Sequence, residues 1–137
     1  MTAFPFKILT LQKSFLREDV GFVIAPGQEG VFEILARHAP FVFALKPGAL
    51  RYRMPDGKDR HVAVGGGFLV VQESRTTVLT RSAERPEEID QPRAQRAKER
   101  AEQRLADRTD VDLVRAQAAL QRALARLKVA EYSSAVS

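Results

Sequence analysis

Cysteine is absent from the 137 residues, which excludes disulfides, thiolate zinc sites and cysteine nucleophiles. Histidine is scarce. His38 and His61 lie far apart in sequence, so no histidine-rich metal site is expected. No apolar run reaches the roughly 20 residues needed to span a bilayer. The start, Met1 to Lys7, lacks the charged and apolar regions of a signal peptide, so a cytosolic chain is expected, meeting a membrane only through a partner. No G-x-x-x-x-G-K-[ST], H-E-x-x-H or G-x-S-x-G stretch occurs. Glu87, Glu88 and Asp90 form an acidic group, but charge at a helix start accounts for it. Nothing reads as an active site, so no catalytic residue is assigned and no enzyme is predicted.

Glycine is absent from the last half-century of residues: all eight glycines precede Glu84. An apolar content of 45% supports a real core. In the glycine-bearing part, Phe4 to Thr10 alternates like a half-buried strand. Leu16 to Asp19 reads as a polar turn, Val20 to Ile24 as a strand, Ala25 to Gly30 as a loop and Val31 to Leu35 as a short strand. Phe41 to Leu45 is continuously apolar and reads as a strand covered on both faces. Lys46-Pro47-Gly48-Ala49 reads as a turn. Leu50, Tyr52 and Met54 point inward and Arg51 and Arg53 outward, before a hairpin turn at Pro55 to Lys58. His61 to Val64 returns, and Gly65-Gly66-Gly67 interrupts it as a bulge or close-packing site. Phe68 to Val71 and Thr76 to Leu79 close a last hairpin around Glu73-Ser74-Arg75. Close-spaced short strands without an intervening helix predict an all-β sandwich or barrel.

The stretch Glu84 to Ala94 divides the chain. Asp90 is a natural N-cap, and Pro92 falls in the first helical turn, where its missing N–H costs nothing. Ala94, Ala97, Ala101 and Leu105 then share one helix face. Asp107 to Asp110 breaks the pattern, and Asp110 or Asp112 caps a second helix. In it, Leu113, Ala116, Leu120, Ala123, Leu127 and Ala130 form a heptad seam. Two short helices with a brief connection predict an antiparallel hairpin. At about 25 cal/mol per Å², an alanine-rich seam contributes only a few kcal/mol, so the hairpin should be marginal alone and able to rearrange.

The net charge of +5 lies wholly in this part: Arg93 to Lys128 holds ten Lys/Arg against five Asp/Glu. Such a surplus suits an acidic protein surface, a phosphate-bearing ligand or nucleic acid; a solvated helix face is the plainer reading. Arg122 and Arg126, one turn apart, can clamp one anion, or pair with nearby acids.

The chain resembles the epsilon subunit of bacterial F-type ATP synthases. The likeness is carried by Ala25 to Pro40, ending His38-Ala39-Pro40; by Leu45-Lys46-Pro47-Gly48 and Val64 to Phe68; by Ala83-Glu84-Arg85; by Ile89-Asp90-x-x-Arg93-Ala94; and by Arg115-Ala116 through Leu127. Each piece is weakly specific, and their shared order is strongly specific. The resemblance implies a ten-stranded N-terminal β-sandwich over residues 1–86, then a regulatory two-helix hairpin over 87–137. It implies a non-catalytic rotor subunit of the central stalk, on the cytoplasmic face of the bacterial inner membrane. Its partners would be the gamma subunit, the c-ring and, through the helices, the alpha/beta head. The hairpin would block ATP hydrolysis when extended and permit it when folded. ATP would be a regulatory ligand, not an obligatory cofactor, held by Glu84, Asp90, Arg93, Ala94, Arg122 and Arg126. Glu29, Val31 and His38 would face the c-ring and gamma. Ala36-Arg37 departs from the family's residues before His38. A basic nucleic-acid-binding module is the alternative, but its helices lack interleaved aromatics.

Overall fold

The computed structural model describes residues 2–73, 75–107 and 113–136. Among them, eight strands precede two helices: β1 Phe4–Leu9, β2 Ser14–Val20, β3 Phe22–Gly27, β4 Gly30–Leu35, β5 Phe41–Arg53, β6 Asp59–Gln72, β7 Arg75–Thr80, β8 Ala83–Glu84, α1 Gln91–Asp107 and α2 Leu113–Ala130. A 3-10 turn, Pro86–Glu88, joins the two parts, and a second, Glu131–Val136, follows α2. The strands pair in the order β2-β1-β7-β6-β5-β3-β4, with β8 on β6.

The sheet folds over on itself because β5 and β6 serve both layers. The second half of β6 lies between the first half of β5 and β7, which runs parallel to β1. The other half of β5 joins β3, and the other half of β6 joins β8. Side chains from both layers meet between them: Phe6, Ile8, Val20, Val23, Ile34, Leu50, Leu69 and Val78 are fully buried. The Phe6 and Tyr52 rings meet at 5.6 Å.

This double duty explains why eight strands stand where ten are expected. Lys46 to Ala49 is not a turn, and Gly65 to Gly67 does not end a strand. The two segments face each other (Leu45 opposite Gly67, Pro47 opposite Gly65), so both strands cross between layers together without losing register. Gly66 and Gly67 have φ of +92° and +140°, a region that only glycine enters without strain.

Three other segments differ from their sequence reading. Leu16 to Asp19 is strand, not turn, within β2. As an edge strand it needs only part of its residues inside, so Phe15, Leu16 and Val20 are buried while Arg17, Glu18 and Asp19 meet water. Most of Ala25 to Gly30 is strand too, with the turn confined to Gln28 and Glu29. Phe41 and Val42, expected under cover, are 55% and 58% exposed at the start of β5. The Pro55 to Lys58 turn forms as read, with Gly57 at φ +89°. Ser74, in the last hairpin, lies outside the described residues.

In α1 the expected face forms, with Ala94 and Ala101 buried and Ala97 and Leu105 half-buried. In α2, Ala116 and Ala123 are buried, Leu120 and Leu127 half-buried, and Leu113 is exposed. The helices pack on each other, and α2 rests on β5 and β6. The last turn of α2 does this: Val129 and Ala130, the final seam residue, are buried with Ala63 and Ile89 against Ala49. The proposed caps Asp110 and Asp112 lie outside the described residues.

Candidate functional site

The junction is fixed before the helices begin. The Arg85 guanidinium sits 4.3 Å above the Phe15 ring and donates to the Phe15 carbonyl oxygen at 3.2 Å. The Arg85 backbone N–H donates to the Glu88 carboxylate at 2.8 Å, and Glu88 N–H donates back to the Arg85 carbonyl at 3.0 Å. Ile89 is buried. Asp90 then caps α1 as its sequence position requires: its carboxylate accepts from Arg93 N–H at 3.0 Å, and its carbonyl from Ala94 N–H at 3.0 Å.

β8 brings Glu84 opposite Ala63, beneath α2. There the Arg126 guanidinium donates through Nε to Glu84 Oε1. Both side chains are about one-third exposed, 32% and 31%, so solvent screens the pair and its worth is modest. Arg126 is thus paired with an acid, which limits it as an anion clamp.

A cleft of about 640 Å³ opens beside this pair, between the junction and α1. Glu84, Asp90, Arg93, Ala94 and Arg126 all line it. Arg122 does not. It lines a second cleft of about 680 Å³, between α2 and the Arg81-Ser82 turn, and the two clefts share Arg126 as a wall. The first cleft also holds Arg96 and Arg100, unassigned from the sequence. Their signal was present: 93, 96 and 100 step by three and four, one helical face. Arg93, Arg96 and Arg100 form no ion pair among the described residues, and with Arg126 they outnumber the cleft's three carboxylates, Glu84, Glu88 and Asp90, by one.

The proposed interface residues lie on β4 and the segments flanking it, and none of them lines either cleft. Glu29 is exposed in the β3–β4 turn and Val31 is 72% exposed on the edge strand β4. His38 follows a turn in which Arg37 takes a left-handed φ of +64°. The His38 Nδ1 lies 2.9 Å from the Ala39 carbonyl oxygen, and its ring meets the edge of Phe43 at 6.2 Å. Phe43 stacks on Phe32 at 4.1 Å, so His38 joins an aromatic group with exposed Phe41. The departure at Ala36-Arg37 is accommodated as a tight turn.

The sequence matches the ATP synthase delta/epsilon β-sandwich domain over residues 3–86 and the corresponding long α-helix domain over residues 87–131. The chain belongs to the ATP synthase delta/epsilon family. Within that family it is similar to the ATP synthase epsilon chain of Nitratidesulfovibrio vulgaris (strain DP4), 54% identical over 124 residues, covering 90% of this chain and 92% of the relative. The epsilon chain of Syntrophobacter fumaroxidans is 52% identical over 126 residues, covering 91% and 93%. A chain in the cryo-EM structure of the Euglena gracilis mitochondrial ATP synthase (OSCP, F1 and c-ring) superposes with a TM-score of 0.73 at 25% identity, covering 99% of this chain and 82% of that one. A Tetrahymena thermophila mitochondrial ATP synthase structure of the central stalk and c-ring contains a chain with a TM-score of 0.58 at 14% identity. It covers 97% of this chain and 96% of its own, and at that identity shows shared fold alone. No helix of the described residues is long and apolar enough to cross a membrane.

Proposed function

We propose that this chain is the epsilon subunit in the central stalk of a bacterial F-type ATP synthase, a non-catalytic part of the rotor on the cytoplasmic side of the membrane. The sandwich holds gamma and the c-ring, with Glu29, Val31 and His38 at the c-ring end. The hairpin regulates ATP hydrolysis, and ATP is its ligand.

One observation supports the regulatory part above others. The cleft that gathers Glu84, Asp90, Arg93, Ala94 and Arg126 has walls from the sandwich edge, the junction and both helices. A ligand bound there contacts elements that separate when the hairpin opens, so it favours the folded form by the difference between its affinities for the two forms. The arginines are suited to phosphates, whereas the helix start adds little, because Asp90 already accepts from Arg93 N–H and Pro92 has none. Four of the helical arginines, Arg93, Arg96, Arg100 and Arg126, gather at this cleft, which favours a small anion over a nucleic-acid backbone. Arg122 joins only if Arg126 leaves Glu84 and the two clefts merge.

The test is calorimetric titration of the purified chain with ATP. Saturable binding that Arg126→Ala and Arg93→Ala each weaken at least about tenfold, the loss of roughly 1.4 kcal/mol, is expected. Equal binding by wild type and both variants would contradict the site, and no binding up to millimolar ATP would remove ATP as the ligand while leaving the stalk role.

A further inference from the structure

The alanine seam leaves the hairpin weakly held, yet its far end is anchored. Val129 and Ala130, in the last turn of α2, are fully covered by the sandwich. Beyond them the Tyr132 ring lies flat on His61 of β6, centroids 3.5 Å apart and planes 6° from parallel. Ser133 Oγ donates to the Ala130 carbonyl at 2.8 Å, tying this segment to the end of the helix. The stack closes one side of a cleft of about 720 Å³.

We propose that the His61–Tyr132 stack is a proton-sensitive latch, which holds the end of the hairpin on the sandwich while His61 is neutral and releases it as pH falls. The geometry places an ionisable ring where charge is poorly tolerated. His61 faces Arg51, its cross-strand partner on β5; Asp59, two residues earlier on β6; Lys128 on α2; and Tyr132. The cleft beyond carries Glu18, Tyr52, Arg60, Arg85 and Glu87. Burial first, and then Arg51, hold the His61 ring below the usual imidazole range, and Lys128 adds to this. Asp59 pulls the other way, but its carboxylate is already shared by Arg51 at 3.0 Å and Arg53 at 2.7 Å. A protonated ring can still attract a phenol face. Burial beside two cations opposes that attraction.

The sign follows. Arg51 and Asp59 stay beside His61 when the hairpin leaves, whereas Lys128 and the cover that Tyr132 gives go with it. The ring therefore binds its proton less well docked than undocked. Its contribution to docking is full above the undocked value and is lost as pH falls below it. If the hairpin is the regulator described above, acid favours the extended form. The latch itself does not depend on that reading.

The absence of cysteine makes the test direct. Spin labels at Ser14→Cys on β2 and Gln117→Cys on α2, both exposed, report the distance between sandwich and hairpin. Between about pH 8 and pH 5, where histidine titrates, a single short distance should give way to a longer population with a midpoint below 6.5. His61→Phe keeps a ring for Tyr132 without a proton, and should stay closed throughout. Tyr132→Ala should open already at neutral pH, and His38→Asn should respond like wild type. An unchanged strand amide spectrum shows that the sandwich is intact. Acid opening that persists in His61→Phe would overturn the latch. So would a wild type that stays closed while imidazole NMR shows His61 protonated.

Discussion

Gly67 sits at φ +140°, and a Cβ there would collide with the Leu79 carbonyl oxygen on the neighbouring strand. Gly67→Ala should therefore lower stability by about 3 kcal/mol through strain and overpacking, read as a shift in urea midpoint. A change near zero would mean that β6 and β7 separate there at little cost. Asp59 poses a different question. Its carboxylate accepts from Arg53 Nε at 2.7 Å and Arg51 Nη1 at 3.0 Å, with Phe22 beneath both guanidinium groups. The Arg53 hydrogen bond, outweighing partial burial, holds the carboxyl below the usual carboxylate range. A depressed carboxyl stabilises the fold above its unfolded value of 3.8, and that stability disappears as pH falls through the folded value. Asp59→Asn should cost about 1 kcal/mol at neutral pH, because the pair is partly solvated. The deficit should shrink below pH 3.8. A deficit constant over pH would show that charge is not its cause.

Between elements, the controlling contact is α2 on the sandwich. Val129 is wholly buried there, whereas the interhelical seam is mostly alanine. Val129→Ala should cost about 2 kcal/mol, and the loss should fall on the docked helix. Amide exchange should quicken in α2 while Val62 and Leu69, in β6, keep their protection. Equal acceleration in both would mean that hairpin and sandwich unfold as one unit. This contact was only half legible in the sequence. The heptad through Ala116 and Ala123 reads directly from spacing, and so does Asp90 as cap. Ala125 and Val129 fall outside that heptad, and what they pack against is set by tertiary position. The polar run Arg17-Glu18-Asp19 misled for a similar reason, since edge-strand status is a property of the sheet. Lys46 to Ala49 and Gly65 to Gly67 each carry turn residues, and only their mutual pairing keeps both strands continuous. At the cleft, Glu84, Asp90, Arg93 and Ala94 converge because the junction orders them locally, and Arg126 joins them through the packing of α2. Arg122 lies across the Arg126–Glu84 pair, a separation that helix spacing alone does not reveal.

Taken whole, the molecule is a sandwich with a basic two-helix hairpin packed on β5 and β6. The sandwich presents exposed apolar side chains on its strands, among them Val42, Phe68 and Leu79 on β5, β6 and β7. Such a face fits lasting contact with another protein, as a stalk role requires. The hairpin is joined through a junction pinned by Arg85 and Glu88, so the proposed opening would begin at Asp90 and leave the sandwich in place. The most direct measurement is co-purification of the tagged full-length chain with the gamma subunit of the same synthase. A stoichiometric complex that survives gel filtration, and that Phe68→Glu disrupts, is predicted. A chain that elutes alone from equimolar mixtures with folded gamma would contradict its place in the stalk.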